Sequence, residues 1–284
     1  MKQVVIIGAG TMGHGIAQVC AMAGYETHLL DTDPARVQKG LEHIRANLEK
    51  GIARGKVSEE LATASLARLH KTDLAQATSG ADIVIEAIPE RLDLKQRVFS
   101  EVATRASSEC IFATNTSSLS ITALAGAIPH PERVIGTHFF NPVHIMSLLE
   151  VVVGKDTSET VLDRVRAFGE QLGKDVIVVQ DMPGFATSRL GVCLGMEAIR
   201  MVEQGVASPA DIDKAMVLGY RHPIGPLRLT DLVGLDVRMA IGTYLAQELN
   251  NPAFEPPRLM REMVEAGKLG KKTGQGFYAW DEAN

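Results

Sequence analysis

A histidine at a strand end and a lone glutamate interrupt the apolar stretch GTHFFNPVHIMSLLEVVVG, residues 136–154. His138 follows a strand-like run, and Glu150 sits twelve positions later among leucines and valines. A carboxylate on one ring nitrogen of a histidine fixes its tautomer and leaves the other nitrogen to exchange a proton near neutral pH. That pairing suits oxidation of an alcohol. The imidazole takes the hydroxyl proton while hydride leaves carbon for an acceptor, and the imidazolium returns the proton in reverse. Spacing alone leaves a second reading level with this one, a satisfied core histidine beside a strand-end charge.

A second chemical signal lies at the start of the chain. GAGTMG, residues 8–13, fits G-x-G-x-x-G, follows an apolar run, opens a helical pattern, and is succeeded by Asp31 at the end of the next strand-like run. Gly8 permits a tight turn, Gly10 lets backbone approach a pyrophosphate, and Gly13 lets the helix pack closely on a sheet. Thr11 and Met12 complete the phosphate-facing turn at the helix N-terminus. Asp31 accepts hydrogen bonds from the ribose hydroxyls and repels a 2′-phosphate, which favours NAD over NADP. A third cluster, TNTSSLS at 114–120, is read by itself as a helix cap through Ser117 or Ser118. The functional reading makes one of its hydroxyls a partner of the reacting oxygen.

These groups need a scaffold, and the pattern supplies one. Strand-like runs at Gln3–Ile7, Glu26–Leu30, Ile83–Ala87, Ile111–Thr114, Val134–His138, Leu149–Val153 and Val176–Val179 are separated in part by helical patterns. That alternation argues for an α/β fold with a doubly wound, mostly parallel sheet covered on both faces. Residues 34–68 carry helical spacing broken near RGKVSEE, where Ser58 offers a cap, so two helices forming a hairpin are expected. After QDMPGF, residues 180–185, strand signals stop. Helices are expected over 188–204, from Ser208-Pro209, from Pro226 and over 258–266. The chain divides accordingly into 1–183 and an all-α part, 184–284.

Composition narrows the class. The 284 residues are 45% hydrophobic and 22% charged, with a formal net charge of −5 and no basic block, so nucleic acid is not an expected partner. The apolar start is too short for a signal core or membrane span. Cys20, Cys110 and Cys193 are odd in number and lie far apart, which suggests buried thiols in a reducing compartment rather than disulfides or zinc ligands. No metal site is expected. A cytosolic or organelle-matrix protein follows, with the cytoplasm as the working assignment.

The segments GAGTMGHGIA, EAIPE, NTSSLSI, THFFNPVHIMSLLEVV, DMPGF, HPIGPL and GKLGKKTGQGFYAW occur in the order found in the 3-hydroxyacyl-CoA dehydrogenases. The chain resembles that family from residue 1 to about 280, in its short, single-function 3-hydroxybutyryl-CoA dehydrogenase form. The resemblance implies a Rossmann-like NAD domain, a helical domain that forms a homodimer, and reversible oxidation of (S)-3-hydroxyacyl-CoA to 3-oxoacyl-CoA in fatty-acid or butyrate metabolism. It makes His138 the general base, Glu150 its orienting partner and Ser117 the holder of the substrate oxygen. It places Asn141 at the nicotinamide end and Glu90, Lys95 and Lys272 at cofactor-contacting positions. It also brings the 34–68 hairpin to coenzyme A, where Arg54 and Lys56 are the basic candidates.

One position departs from the family's pattern. After PGF the relatives commonly carry an asparagine that reaches the substrate, and this chain has Ser188 there. Serine is shorter and lacks the amide donors, so a water or a changed acyl preference is expected. Two competing readings share the scaffold: a dehydrogenase of another hydroxy acid, of the gulonate type, and a silent NAD-binding protein. Basic reach in the hairpin separates the first, and the retained His138 and Glu150 argue against the second.

Overall fold

The computed structural model describes residues 1–280 and divides into two compact units, Met1–Met182 and Pro183–Asn284. The first is built on eight strands: β1 Gln3–Ile7, β2 Glu26–Leu30, β3 Leu69–His70, β4 Ile83–Glu86, β5 Ile111–Thr114, β6 Val134–Phe139, β7 Leu148–Val153 and β8 Asp175–Gln180. Their order is β3-β2-β1-β4-β5-β6-β7-β8, and every neighbouring pair is parallel except β6–β7. Val4, Val5, Ile6, Ile83, Val84 and Ile85 are fully buried. Runs that are apolar at every position, not at alternate ones, are what a sheet covered on both faces requires.

The strand order reverses direction between β1 and β4, whose registers place Ile7 opposite Glu86. Ligands collect at such a switch point, outside the carboxyl ends of the strands. The connections that cover this sheet are α1 Thr11–Met22, α2 Pro34–Ala53, α3 Glu59–Ala67, α4 Leu74–Ser79, α5 Leu92–Ala103, α6 Ile121–Ala125 and α7 Glu159–Gln171. The expected hairpin is present as α2 and α3, and Ser58 caps α3 by accepting from Leu61 N. The short β3 and α4 were not anticipated. Two residues of strand and six of helix are below the length at which periodicity is readable.

The second unit is helical: α8 Thr187–Glu203, α9 Pro209–Gly219, α10 Pro226–Val233, α11 Leu235–Glu248 and α12 Arg258–Glu265. Ser208 caps α9 by accepting from Asp211 N, as the Ser-Pro-Ala-Asp run predicts. Asp231, fully buried at the end of α10, accepts from Phe277 N, Tyr278 N and Trp280 Nε1, each at 2.9 Å. That carboxylate ties the tail containing Lys272 to the bundle. No helix among the described residues is long and apolar enough to cross a membrane.

Candidate functional site

At the end of β1 the chain turns at Gly8 with φ +105°, where a Cβ would come within 2.6 Å of Ala87 O. A Cβ on Gly13 would run into Gly8 O, so only glycine lets α1 start this close to the sheet. Gly10 is different: a Cβ there would meet nothing within 4 Å. Its φ of −71° suits any residue, so neither strain nor crowding inside the protein requires glycine. A cradle of backbone width therefore lies open in front of the first turn of α1, where Thr11 and Met12 sit and where helix amides lack intrahelical acceptors.

Asp31 directly follows β2 and accepts from Ala9 N at 2.9 Å and Asp33 N at 3.1 Å. Its carboxylate thus braces the glycine turn. His14 leans back over the same turn, its Nδ1 2.8 Å from Gly10 O and its ring 5.1 Å from that of His43. Burial, with a contribution from His43, lowers the His14 pKa, so near neutral pH no imidazolium stands over the turn. An open cradle of this kind, backed by a helix N-terminus and an acid at the next strand end, fits a dinucleotide.

Three strands away, His138 and Glu150 face each other across the antiparallel β6–β7 pair. Directly opposed residues in such a pair project from the same face. Glu150 is fully buried, His138 is 8% exposed, and Nδ1 lies 2.7 Å from Glu150 Oε2. Phe140 packs beside the imidazole, with ring centroids 4.4 Å apart. Nδ1 is committed to the carboxylate, so any proton exchange by this ring would use Nε2. Asn115, at the end of β5, accepts from Phe139 N at 2.9 Å and couples the β5 loop to the strand end that carries His138. Asn141 is exposed immediately beyond, before the cis bond to Pro142.

The loop between His138 and Glu150 is fastened from below. Lys174 is 8% exposed, and its ammonium donates to Val143 O at 2.5 Å and Met146 O at 2.7 Å. Burial lowers its pKa, and the neighbouring Cys20 opposes that in part.

Ser117 belongs to a turn held by Glu90. Glu90 Oε1 accepts from Thr116 Oγ1 at 2.5 Å, Ser117 N at 3.0 Å, Ser117 Oγ at 3.3 Å and Ser118 Oγ at 3.4 Å. Burial alone would raise the Glu90 pKa, but Lys95 and these donors outweigh it and bring the carboxyl below its ordinary range. Behind it, Lys95 is 1% exposed and bonds both oxygens of the fully buried Glu86 at 2.7 and 2.9 Å. Neither Ser117 nor Ser118 is the cap of the following helix. Ser120 caps α6 by accepting from Ala123 N, because the turn held by Glu90 delays the helix start to Ile121.

Arg54 and Lys56 lie exposed at the turn between α2 and α3, and neither forms an ion pair among the described residues. In the helical unit, Ser188 is in the first turn of α8, and Lys272 pairs with both oxygens of Asp236 at 2.5 and 2.6 Å. Sequence reasoning missed Glu86, Asn115 and Lys174. An acid closing an otherwise apolar strand was a usable signal for Glu86, whereas Lys174 acts on a loop 28 to 31 residues away and left none.

Comparison with known proteins gives a consistent picture. Residues 3–182 match the family model "3-hydroxyacyl-CoA dehydrogenase, NAD binding domain", and residues 184–280 match "3-hydroxyacyl-CoA dehydrogenase, C-terminal domain". A probable 3-hydroxybutyryl-CoA dehydrogenase of Bacillus subtilis is 40% identical over 282 residues, covering 99% of this chain and 98% of the relative. The 3-hydroxybutyryl-CoA dehydrogenase of Mycobacterium tuberculosis is 41% identical, with 99% of each covered. Among solved structures, (S)-3-hydroxybutyryl-CoA dehydrogenase PaaH1 from Ralstonia eutropha superposes with a TM-score of 0.96 at 42% identity, over 99% of this chain and all of that one.

Proposed function

The chain belongs to the 3-hydroxyacyl-CoA dehydrogenase family, and from that membership we propose that its substrate is (S)-3-hydroxybutyryl-CoA, converted reversibly to acetoacetyl-CoA. The observation that carries the mechanism is the buried His138–Glu150 pair at the carboxyl end of β6. His138 Nε2 takes the proton of the 3-hydroxyl, and Glu150 stabilises the imidazolium through Nδ1. Ser117 holds the substrate oxygen. NAD, when bound, accepts the hydride that leaves C3. In the reductive direction the imidazolium returns its proton to the carbonyl oxygen. The carboxylate partner thus keeps the ring oriented through both halves of the cycle.

The cradle at Gly8, Gly10, Thr11, Met12 and Gly13 takes the pyrophosphate, and Asp31 supports NAD in preference to NADP. Asn141 and Glu90 belong to the nicotinamide side, with Lys95 behind Glu90, and Lys272 is a further cofactor-contacting candidate by family membership. Arg54 and Lys56, exposed and without ion-pair partners among the described residues, suit the phosphates of coenzyme A. Ser188 bears on acyl preference. Leu190, Leu232, Val233 and Val237 are 72%, 46%, 42% and 42% exposed on the helical unit, apolar surface of the kind a homodimer covers. The cytoplasm is the proposed location.

The test is NADH absorbance with purified protein, using acetoacetyl-CoA and acetoacetate in parallel. Oxidation of NADH with the thioester alone is the expected result. Turnover of acetoacetate, or of neither compound despite NADH binding, overturns the assignment of a CoA substrate.

A further inference from the structure

Glu86, Lys95 and Glu90 form a line of charges running from the sheet interior to the Ser117 turn. Glu86 closes β4 at the switch point and is fully buried. Its carboxylate is saturated, taking two bonds from Lys95 Nζ, one from Thr114 Oγ1 at 2.8 Å and one from Ile88 N at 2.6 Å. Lys95 Nζ is equally committed. Four oxygens surround its three hydrogens: both of Glu86, Ile88 O at 3.2 Å and Glu90 Oε2 at 3.2 Å. An ammonium with no donor to spare and 1% exposure acts on a ligand through what it holds. What it holds is Glu90, whose side chain is 38% exposed and whose other oxygen gathers the Thr116–Ser117–Ser118 turn.

We propose that Glu86 is a positioning residue for this reaction: it anchors Lys95, Lys95 fixes Glu90, and Glu90 presents Ser117 to the substrate oxygen. Stability alone gives little reason for such a line, because a buried ion pair is commonly no more stabilising than apolar side chains of the same volume. Direction is what the line adds. Lys95 draws Glu90 Oε2 inward, and that leaves Oε1 aimed at the Ser117 amide and hydroxyl. Without Glu86, Lys95 lacks its buried counter-charge and shifts onto Glu90, pulling the turn with it. The inference rests on the reading of Ser117 as the group that holds the reacting oxygen.

The experiment compares Glu86→Gln, Lys95→Met and the double variant with the unmodified protein. Its readouts are kcat, KM for NADH and for acetoacetyl-CoA, and thermal midpoint. Glu86→Gln is expected to lower kcat about tenfold with KM for NADH changed less than about twofold. The double variant is expected to be no slower than the slower single variant, because both act through Glu90. Three results overturn the proposal: multiplicative losses in the double variant, an unchanged kcat beside a lowered thermal midpoint, or a loss expressed mainly as weaker NADH binding. Thr114→Val removes a single bond to Glu86 and carries the same test if Glu86→Gln does not fold. A twofold or greater fall in kcat supports the chain, and none overturns it. Failure of the unmodified protein to reduce acetoacetyl-CoA sinks the substrate assignment and this proposal together. Turnover by the unmodified protein, with Glu86→Gln equally active, sinks the proposal alone.

Discussion

His138 and Glu150 occupy opposed positions on antiparallel strands, Nδ1 2.7 Å from Oε2, with the carboxylate fully buried and the ring at the strand edge. The strand pairing, not side-chain flexibility, sets their separation, so the geometry is available before any ligand arrives. Loss of the ring should therefore remove chemistry and spare cofactor binding. His138→Ala is expected to lower kcat by about 100-fold or more, the usual scale for general acid–base catalysis, with NADH affinity nearly unchanged. Kinetics alongside fluorescence titration of NADH checks this. A parallel loss of NADH binding would mean that the residue is structural.

Gly10 and Gly13 separate binding from folding within one motif. A Cβ on Gly13 collides with Gly8 O, whereas one on Gly10 points into open space. Gly13→Ala is expected to cost about 1–3 kcal/mol of stability, as overpacking does. Gly10→Ala should unfold like the unmodified protein yet weaken NADH binding at least about tenfold, because the added methyl fills the cradle. Thermal denaturation and NADH titration on both variants decide it. Equal NADH affinity in Gly10→Ala and the unmodified protein would place the pyrophosphate elsewhere.

Much of this architecture was readable from the chain, and the parts that were not share a cause. Runs such as Val4–Ile7 and Ile83–Ile85 announce a sheet buried on both faces, and Ser58 and Ser208 announce their helices, because those signals are local. The register of His138 against Glu150 was not readable. The intervening residues 140–147 are too long for turn chemistry to fix the pairing, and a slip of one residue would put the two side chains on opposite faces. Resemblance supplied the pair where spacing left two readings level. The cap of α6 was misplaced for a related reason: Glu90 reaches in from 26 to 28 residues away to claim the Ser117 turn, leaving Ser120 as the cap.

Glu86 and Glu90 should leave opposite marks on stability against pH. Burial holds the Glu86 pKa above its ordinary 4.5, against the pull of Lys95, so its protonated form is favoured by folding. That contribution is present below 4.5 and is lost as pH rises through the raised value. Glu90 runs the other way. Its folded pKa lies below 4.5, so its contribution is present above 4.5 and is lost as pH falls through the lowered value. Relative to the unmodified protein, Glu86→Gln should gain stability as pH rises from about 4.5 toward neutrality, whereas Glu90→Gln should lose it as pH rises through the acid range up to about 4.5 and change little above that. Urea denaturation at several pH values reads both slopes, and slopes of the same sign would refute the assignment.

Lys174 offers the last test, because its ammonium holds the loop that joins His138 and Glu150. Its ammonium satisfies Val143 O and Met146 O from within the protein, and the backbone at 147 continues the fastening as Asp175 N donates to Ser147 O at 2.8 Å. Lys174→Met keeps the length of the side chain and removes the donors, leaving two carbonyls that must turn to solvent. The expected result is faster amide hydrogen exchange across residues 142–147, with β6 and β7 still protected. A fall in kcat of about threefold to tenfold should accompany it, because Asn141 and the strand end carrying His138 border that loop. Lys174→Arg, which restores donors, should recover part of the loss. Unchanged exchange in the loop would show that the strand pairing alone fixes the geometry, and that the lysine is dispensable to it.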